Sequence, residues 1–180
     1  MTSGLIPHRY AMALYKYAGE NNQRKDVYGI MKTVAEAFRS NPDLEKVLSN
    51  PYVHTDDKRK LLLSAAGENP GDDYVRFVQL VLDHKREEFM YMMSLAYGDI
   101  YRTENNISQV KITTASELPD IELQKLRGVV EKSFKGETFE YSYAIDPDLI
   151  GGFVIDVDST RMDASISNEL EQLRQNLTSN

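Results

Sequence analysis

Through residues 1–105 the apolar positions recur at three- and four-residue steps, the spacing that gives a helix one buried face. Ile6, Tyr10, Ala13, Leu14, Tyr17 and Ala18 define a first helix, and Pro7 suits its opening turn, where a missing N–H costs nothing. A polar stretch over residues 20–25 interrupts the pattern, and Val27, Ile30, Met31, Val34 and Phe38 resume it in a second helix ending near Ser40 and Asn41. Asn41-Pro42 opens a short third helix carrying Leu44, Val47 and Leu48, and Asn50-Pro51 closes it. Thr55-Asp56-Asp57 predicts a fourth start, a capping hydroxyl followed by two carboxylates over the positive end of the helix dipole. Leu61, Leu62, Leu63 and Ala65 follow. Beyond the Asn69-Pro70-Gly71 turn, Tyr74, Val75, Phe77, Val78, Leu80, Val81 and Leu82 make a fifth helix apolar on nearly every side, which must be covered on more than one face. A last helix, over residues 87–103, carries Phe89, Met90, Met93, Ala96, Tyr97 and Ile100.

Near Asn105-Asn106 the period changes. Val110, Ile112 and Thr114 alternate with polar neighbours as a strand does, over residues 107–114. Leu123, Leu126, Val130 and Phe134 return to helical spacing as a buried stripe. Phe139, Tyr141, Tyr143 and Ile145 alternate again and stop at Asp146-Pro147-Asp148. Gly151-Gly152 leads into a third strand over residues 153–157, and Ser165 caps a final helix with Ile166, Leu170, Leu173 and Leu177. The expected fold is α+β: an N-terminal all-α six-helix bundle over residues 1–105, then a small α/β domain over residues 106–180 in the order strand, helix, strand, strand, helix.

Charge sharpens this division. The net charge is −7, and residues 1–105 carry 14 basic and 15 acidic side chains against 7 and 13 in residues 106–180. The acidic surplus of the second half repels phosphate backbones and anionic headgroups, which argues against nucleic acid and lipid surfaces and favours a basic partner. No apolar run approaches the ~18–20 residues that span a bilayer, so no direct membrane insertion is expected. Neither a signal-peptide nor a transit-peptide pattern opens the chain, and the expectation is a cytoplasmic protein that reaches a membrane only through partners.

Candidate chemistry is sparse. With no cysteine, thiolate metal sites and thiol nucleophiles are excluded, and His8, His54 and His84 have no ligand spacing. Gly151-Gly152 lacks the Lys-Ser/Thr of a phosphate loop and precedes a strand, so it reads as a tight turn or bulge. Asp146, Asp148, Asp156, Asp158 and Asp163 miss the EF-hand spacing and read as turn carboxylates, with Asp163 and Ser165 ordering the entry to the last helix. No catalytic residue, cofactor, metal or small-molecule substrate is expected. One binding feature does stand out. The first helix has two apolar sides, Tyr10–Leu14–Tyr17 and Met12–Tyr15, and the fifth is apolar all round; two such neighbours can form a groove for a third, amphipathic helix. Periodicity alone leaves groove and closed core equally open.

Several ordered motifs carry a family resemblance. Arg9-Tyr10-Ala11-Met12-Ala13-Leu14 followed by Ala18 resembles the opening helix of the ATP synthase delta family, known in mitochondria as oligomycin-sensitivity-conferring protein. Asn50-Pro51 with Lys58-Arg59-Lys60-Leu61-Leu62 resembles its third-to-fourth helix region, and Ile112-Thr113-Thr114-Ala115-Ser116-Glu117-Leu118 its first C-terminal strand and turn. Asp146-Pro147-Asp148-Leu149-Ile150-Gly151-Gly152-Phe153 is the most telling match, and Met162-Asp163-Ala164-Ser165-Ile166 completes the set. Pro119 departs from it, standing where the family usually places a capping Ser or Thr. The resemblance implies a non-catalytic stator subunit of a bacterial F-type, proton-translocating ATP synthase, held peripherally at the cytoplasmic face of the inner membrane. It implies an N-terminal domain that binds the N-terminal helix of an alpha subunit between helices one and five, through Tyr10, Ala13, Leu14, Tyr17, Val75, Val78, Gln79 and Leu82. It implies a C-terminal domain that meets the C-terminal ends of the b-subunit stalk. Leu82 is then an anchor whose replacement by Glu leaves the domain folded. The alternative is a free-standing helical adaptor for an amphipathic helix of another complex.

Overall fold

The computed structural model describes residues 4–134 and 138–178. Its contacts divide the chain into two units, Met1–Glu104 and Asn105–Asn180.

The first unit is helical: α1 (Leu5–Glu20), α2 (Arg24–Ser40), α3 (Asp43–Ser49), α4 (Thr55–Ala65), α5 (Gly71–Asp83) and α6 (Met90–Glu104), with a 3-10 turn at Glu87–Phe89 leading into α6. Polar punctuation sets the ends. Asn22 takes a left-handed φ of 56° between α1 and α2, a conformation asparagine tolerates, and the Gln23 amide closes back on the Ala18 carbonyl. Thr55 differs from the sequence expectation: it is the first helical residue, His54 precedes it in extended geometry, and no side chain caps the start. The apolar stripes converge on one core containing Leu14, Tyr15, Val27, Met31, Val34, Leu62, Tyr74, Phe77, Val78, Val81, Met93 and Tyr97. The Met12–Tyr15 side of α1 faces into this core: the Tyr15 ring meets Tyr97 of α6 edge-on at 5.9 Å, and Met12 packs half-buried against the same cluster. Two polar ties cross it. The Tyr74 hydroxyl donates to the Leu62 carbonyl at 2.9 Å, and that of Tyr97 to the Arg24 carbonyl at 3.1 Å.

The second unit runs β1 (Ile107–Thr114), α7 (Asp120–Ser133), β2 (Thr138–Ile145), a 3-10 turn at Pro147–Leu149, β3 (Gly152–Val157), β4 (Thr160–Ser165) and α8 (Ile166–Thr178). The sheet order is β2-β1-β3-β4; β2 is parallel to β1 because α7 carries the chain back across, while β3 and β4 are antiparallel to their neighbours. Leu126 and Val130 of α7, one turn apart, close over Val110, Ile112, Ile155 and Val157. Leu123 and Phe134, expected in the same buried stripe, are half-buried. Despite Pro119, α7 begins at Asp120, its first turn held by the Pro119 carbonyl.

One sequence expectation needs correction in this unit. The expected order has three strands, whereas β4 is a fourth: its residues Thr160 to Ala164 are exposed and Met162 is their one large apolar side chain, so an edge strand of this kind leaves no hydrophobic alternation to read. The apolar stripe of α8 is bare: Ile166, Leu170, Leu173 and Leu177 are 44, 52, 58 and 81% exposed.

Gly151-Gly152 is the turn the sequence implies. Gly152 has a φ of 76°, and a Cβ there would collide with the Ala164 carbonyl of β4, so this close approach of strands requires glycine.

Candidate partner-binding surfaces

Four of the five candidate aspartates of the second unit do a local job. Asp146 accepts from the Asp148 amide at 3.1 Å, Asp158 accepts from the Gln109 amide at 3.0 Å, and Asp156 faces Arg161 at 3.7 Å. Asp163 accepts from both the amide and the hydroxyl of Ser165, at 3.0 and 2.6 Å, and the Ser165 Oγ accepts from the Asn168 amide at 3.2 Å. That chain of bonds fixes the entry to α8, and the Ser165 hydroxyl, followed by its amide, holds the Asp163 carboxyl below its ordinary value. Among the described residues no group of three His, Cys, Asp or Glu side chains is placed to hold a metal ion.

Surfaces, then, are what the molecule offers. In the first unit α1 and α5 lie side by side and antiparallel, as two cross-contacts show. The Tyr10 ring meets His84, at the C-terminal end of α5, edge-on at 6.2 Å, and Arg76 Nη1, earlier on α5 and close to its middle, donates to the Tyr17 hydroxyl at 2.6 Å. Asn21 extends the pairing by donating to Asp73 Oδ1 at 2.8 Å.

The eight residues expected in an α1–α5 groove fall into two sets. Leu14, Val78 and Leu82 are 3, 0 and 4% exposed, inside the unit's own core. Tyr10, Tyr17 and Val75 are half-buried, and Ala13 and Gln79 are exposed. The reason is angular: Leu14 and Val78 point along the core stripe of their helices, whereas the 10, 13, 17 and 75, 79 steps lie at its edge. The outer set forms a seam of two tyrosines and a valine with the small Ala13 between them. The expectation that Leu82→Glu leaves the fold intact is incompatible with its burial, since a carboxylate there has neither water nor a partner. Sequence reading missed Arg76 and His84. The 72, 76, 79, 83 step marks Arg76 as bordering the same face, but its reach to Tyr17 depends on tertiary pairing.

In the second unit α8 carries a bare apolar stripe at steps of four, three and four residues, the seam spacing of paired helices. A shallow cleft lined by Val129, Phe134, Ile155, Val157 and Met162 lies between α7 and β4. Among the described residues no helix is long and apolar enough to cross a membrane.

The family model for the ATP synthase delta (OSCP) subunit matches residues 6–177. The chain belongs to that family. It is 37% identical over 176 residues to the ATP synthase subunit delta of Phocaeicola vulgatus, covering 97% of this chain and 95% of the relative. It is 38% identical over 180 residues to the ATP synthase subunit delta of Parabacteroides distasonis, covering 100% and 99%. A chain in the cryo-EM structure of the Toxoplasma gondii mitochondrial ATP synthase hexamer superposes with a TM-score of 0.71 at 19% identity, over 96% of this chain and 97% of that one, a likeness of fold. As a delta-type subunit the protein is a structural, stator component of the rotary ATP synthase and not one of its catalytic subunits.

Proposed function

We propose that this delta-type subunit joins two parts of the stator through two separate surfaces, with the six helices of the first unit acting as one bundle. In this reading the α1–α5 seam takes the N-terminal helix of an alpha subunit of the catalytic head. The bare stripe of α8 takes the C-terminal ends of the b-subunit stalk. The complex holds the protein peripherally at the cytoplasmic face of the bacterial inner membrane. Rotor torque would turn the head unless a strut held it, so the subunit's work is affinity and stiffness rather than bond chemistry.

The observation that carries this reading is the exposure of four apolar residues of α8 at seam spacing. Such a stripe in water favours a partner helix. The seam of the first unit supports its half by pairing half-buried aromatic rings around a small exposed residue, a shape a docking helix can cover with its own apolar face. The test is calorimetric titration of the full chain with a synthetic peptide of the alpha subunit's N-terminus, and separately with a peptide from the end of the b stalk. Ala13→Glu, at an exposed helical position, should leave the circular dichroism spectrum unchanged and abolish binding of the first peptide only. Leu170→Glu with Leu173→Glu should abolish binding of the second only. Binding of the alpha peptide that Ala13→Glu does not disturb would remove the seam as its site.

A further inference from the structure

We infer that Arg76 is the specificity-determining residue of the α1–α5 seam, recognising a carboxylate on the helix that docks there; this rests on the seam being the docking site. The guanidinium is exposed, yet it is held across the seam by the Tyr17 hydroxyl at 2.6 Å. That bond occupies one of the five N–H donors of the fork and leaves the others free to receive a planar acceptor. Among the described residues no carboxylate lies within ion-pair distance of Arg76, although Asp72 stands four residues before it on the same helix, the usual spacing for such a pair. The cation is thus unneutralised in a chain of net charge −7, and fixed at one end of the seam.

Two further features point the same way. Arg9 and Lys16 lie on the outer edge of α1, at steps of four and three from Ala13, both exposed and neither in an ion pair among the described residues. The α1 rim of the seam is therefore positive over the two turns between them. Tyr10 and Tyr17 are seven residues apart, about 10 Å along the helix, so a docked helix needs two turns of apolar contact with its acidic residue at the Tyr17 end. Covering the seam removes water from around Arg76, which strengthens its bond to a carboxylate and penalises a helix that brings none.

The experiment is a double-mutant cycle on the full chain. The probe is the synthetic alpha-subunit N-terminal peptide, used as it is and with every Asp and Glu replaced by its amide. Arg76→Gln should weaken the natural peptide by roughly tenfold and change the amide peptide little. Arg76→Lys should recover part of the loss, and Tyr17→Phe should give a smaller loss that also disappears with the amide peptide. Equal loss for both peptides would reduce Arg76 to a structural role, and no loss for either would remove it from the interface. Failure of the unaltered protein to bind either peptide overturns this inference together with the docking assignment, whereas binding that is insensitive to Arg76 overturns this inference alone.

Discussion

Replacing Lys58 by methionine should cost the first unit about 3 kcal/mol, because it leaves a largely buried carboxylate alone. Lys58 Nζ, on α4, sits 2.7 Å from Glu87 Oε1 in the turn before α6, and the two side chains are only 7% and 13% exposed. The other oxygen of Glu87 already lacks a hydrogen-bond partner. Methionine matches the lysine stem in length and apolar area, so packing is nearly kept and the loss is electrostatic. With whole-domain stabilities of about 5–15 kcal/mol, about a fifth of the total or more would go. The double variant Lys58→Met with Glu87→Leu removes both charges and should return to within about 1 kcal/mol of the natural protein, since apolar packing replaces a buried pair at little cost. The assay is urea unfolding followed at 222 nm, where α1 to α6 dominate the signal, fitted with separate transitions for the two units. A loss below about 1 kcal/mol for the single variant would mean the pair behaves as a solvated surface bridge. A double variant as unstable as the single one would show that packing, not the orphaned charge, is responsible.

Further outcomes follow from particular burials and bonds. Leu82→Glu should unfold the first unit, read as loss of helical circular dichroism at 25 °C; a folded variant would mean that this 4%-exposed side chain can reach water. Gly152→Ala should destabilise the second unit by roughly 1–3 kcal/mol, through a φ of 76° and a clash with Ala164, and an unchanged thermal midpoint would refute that strain. Burial raises the hydroxyl pKa of Tyr74, and burial together with neighbouring Tyr15 raises that of Tyr97, above the ordinary value of 10.0. Stability from these groups is complete below that value and is lost as pH rises past it, so Tyr74→Phe with Tyr97→Phe should flatten the alkaline fall in urea midpoint. The Asp163 carboxyl is held below its ordinary 3.8, so its contribution is present above that pH and lost as pH falls further. Asp163→Asn should remove this acid dependence, seen as a missing low-pH carboxyl titration by NMR.

Helical and strand periods located nearly every element of this chain because most of them bury one clean face. Leu126 and Val130, or Val110 and Ile112, are legible because each is set at the period of its element and lands in a core. What escaped was what has no period. β4 is an exposed edge of Thr, Arg, Met, Asp and Ala, identified only by its ladder to β3. The seam was half legible: the 10, 13, 17 step showed apolar surplus on α1, but periodicity could not say how deeply Leu14, Val78 and Leu82 sit, since that depends on the neighbouring helices. Arg76 lay beyond reach for the same reason, as nothing local announces a bond to a tyrosine 59 positions earlier. The stripe of α8 was legible as a stripe but not as an exposed one. Ile166, Leu170, Leu173 and Leu177 are spaced like a core face, and a sequence cannot tell a face that meets its own domain from one awaiting a partner.

That ambiguity bears on how a joint can be built. A residue that both fills the core and contacts a partner ties binding to folding, so any loosening of the partner loosens the fold. Here the core of the first unit is closed by Leu14, Val78 and Leu82, and the proposed contacts lie just outside it on Tyr10, Ala13, Tyr17, Val75 and Gln79. The second unit does the same, with Leu126 and Val130 sealing the sheet while α8 carries its leucines outside. On the proposed function each contact can then yield without unfolding the unit that bears it. Linking two such contacts in one chain raises the effective concentration of the second whenever the first is made, so two moderate affinities hold together under load and a detached one re-forms before the other lets go.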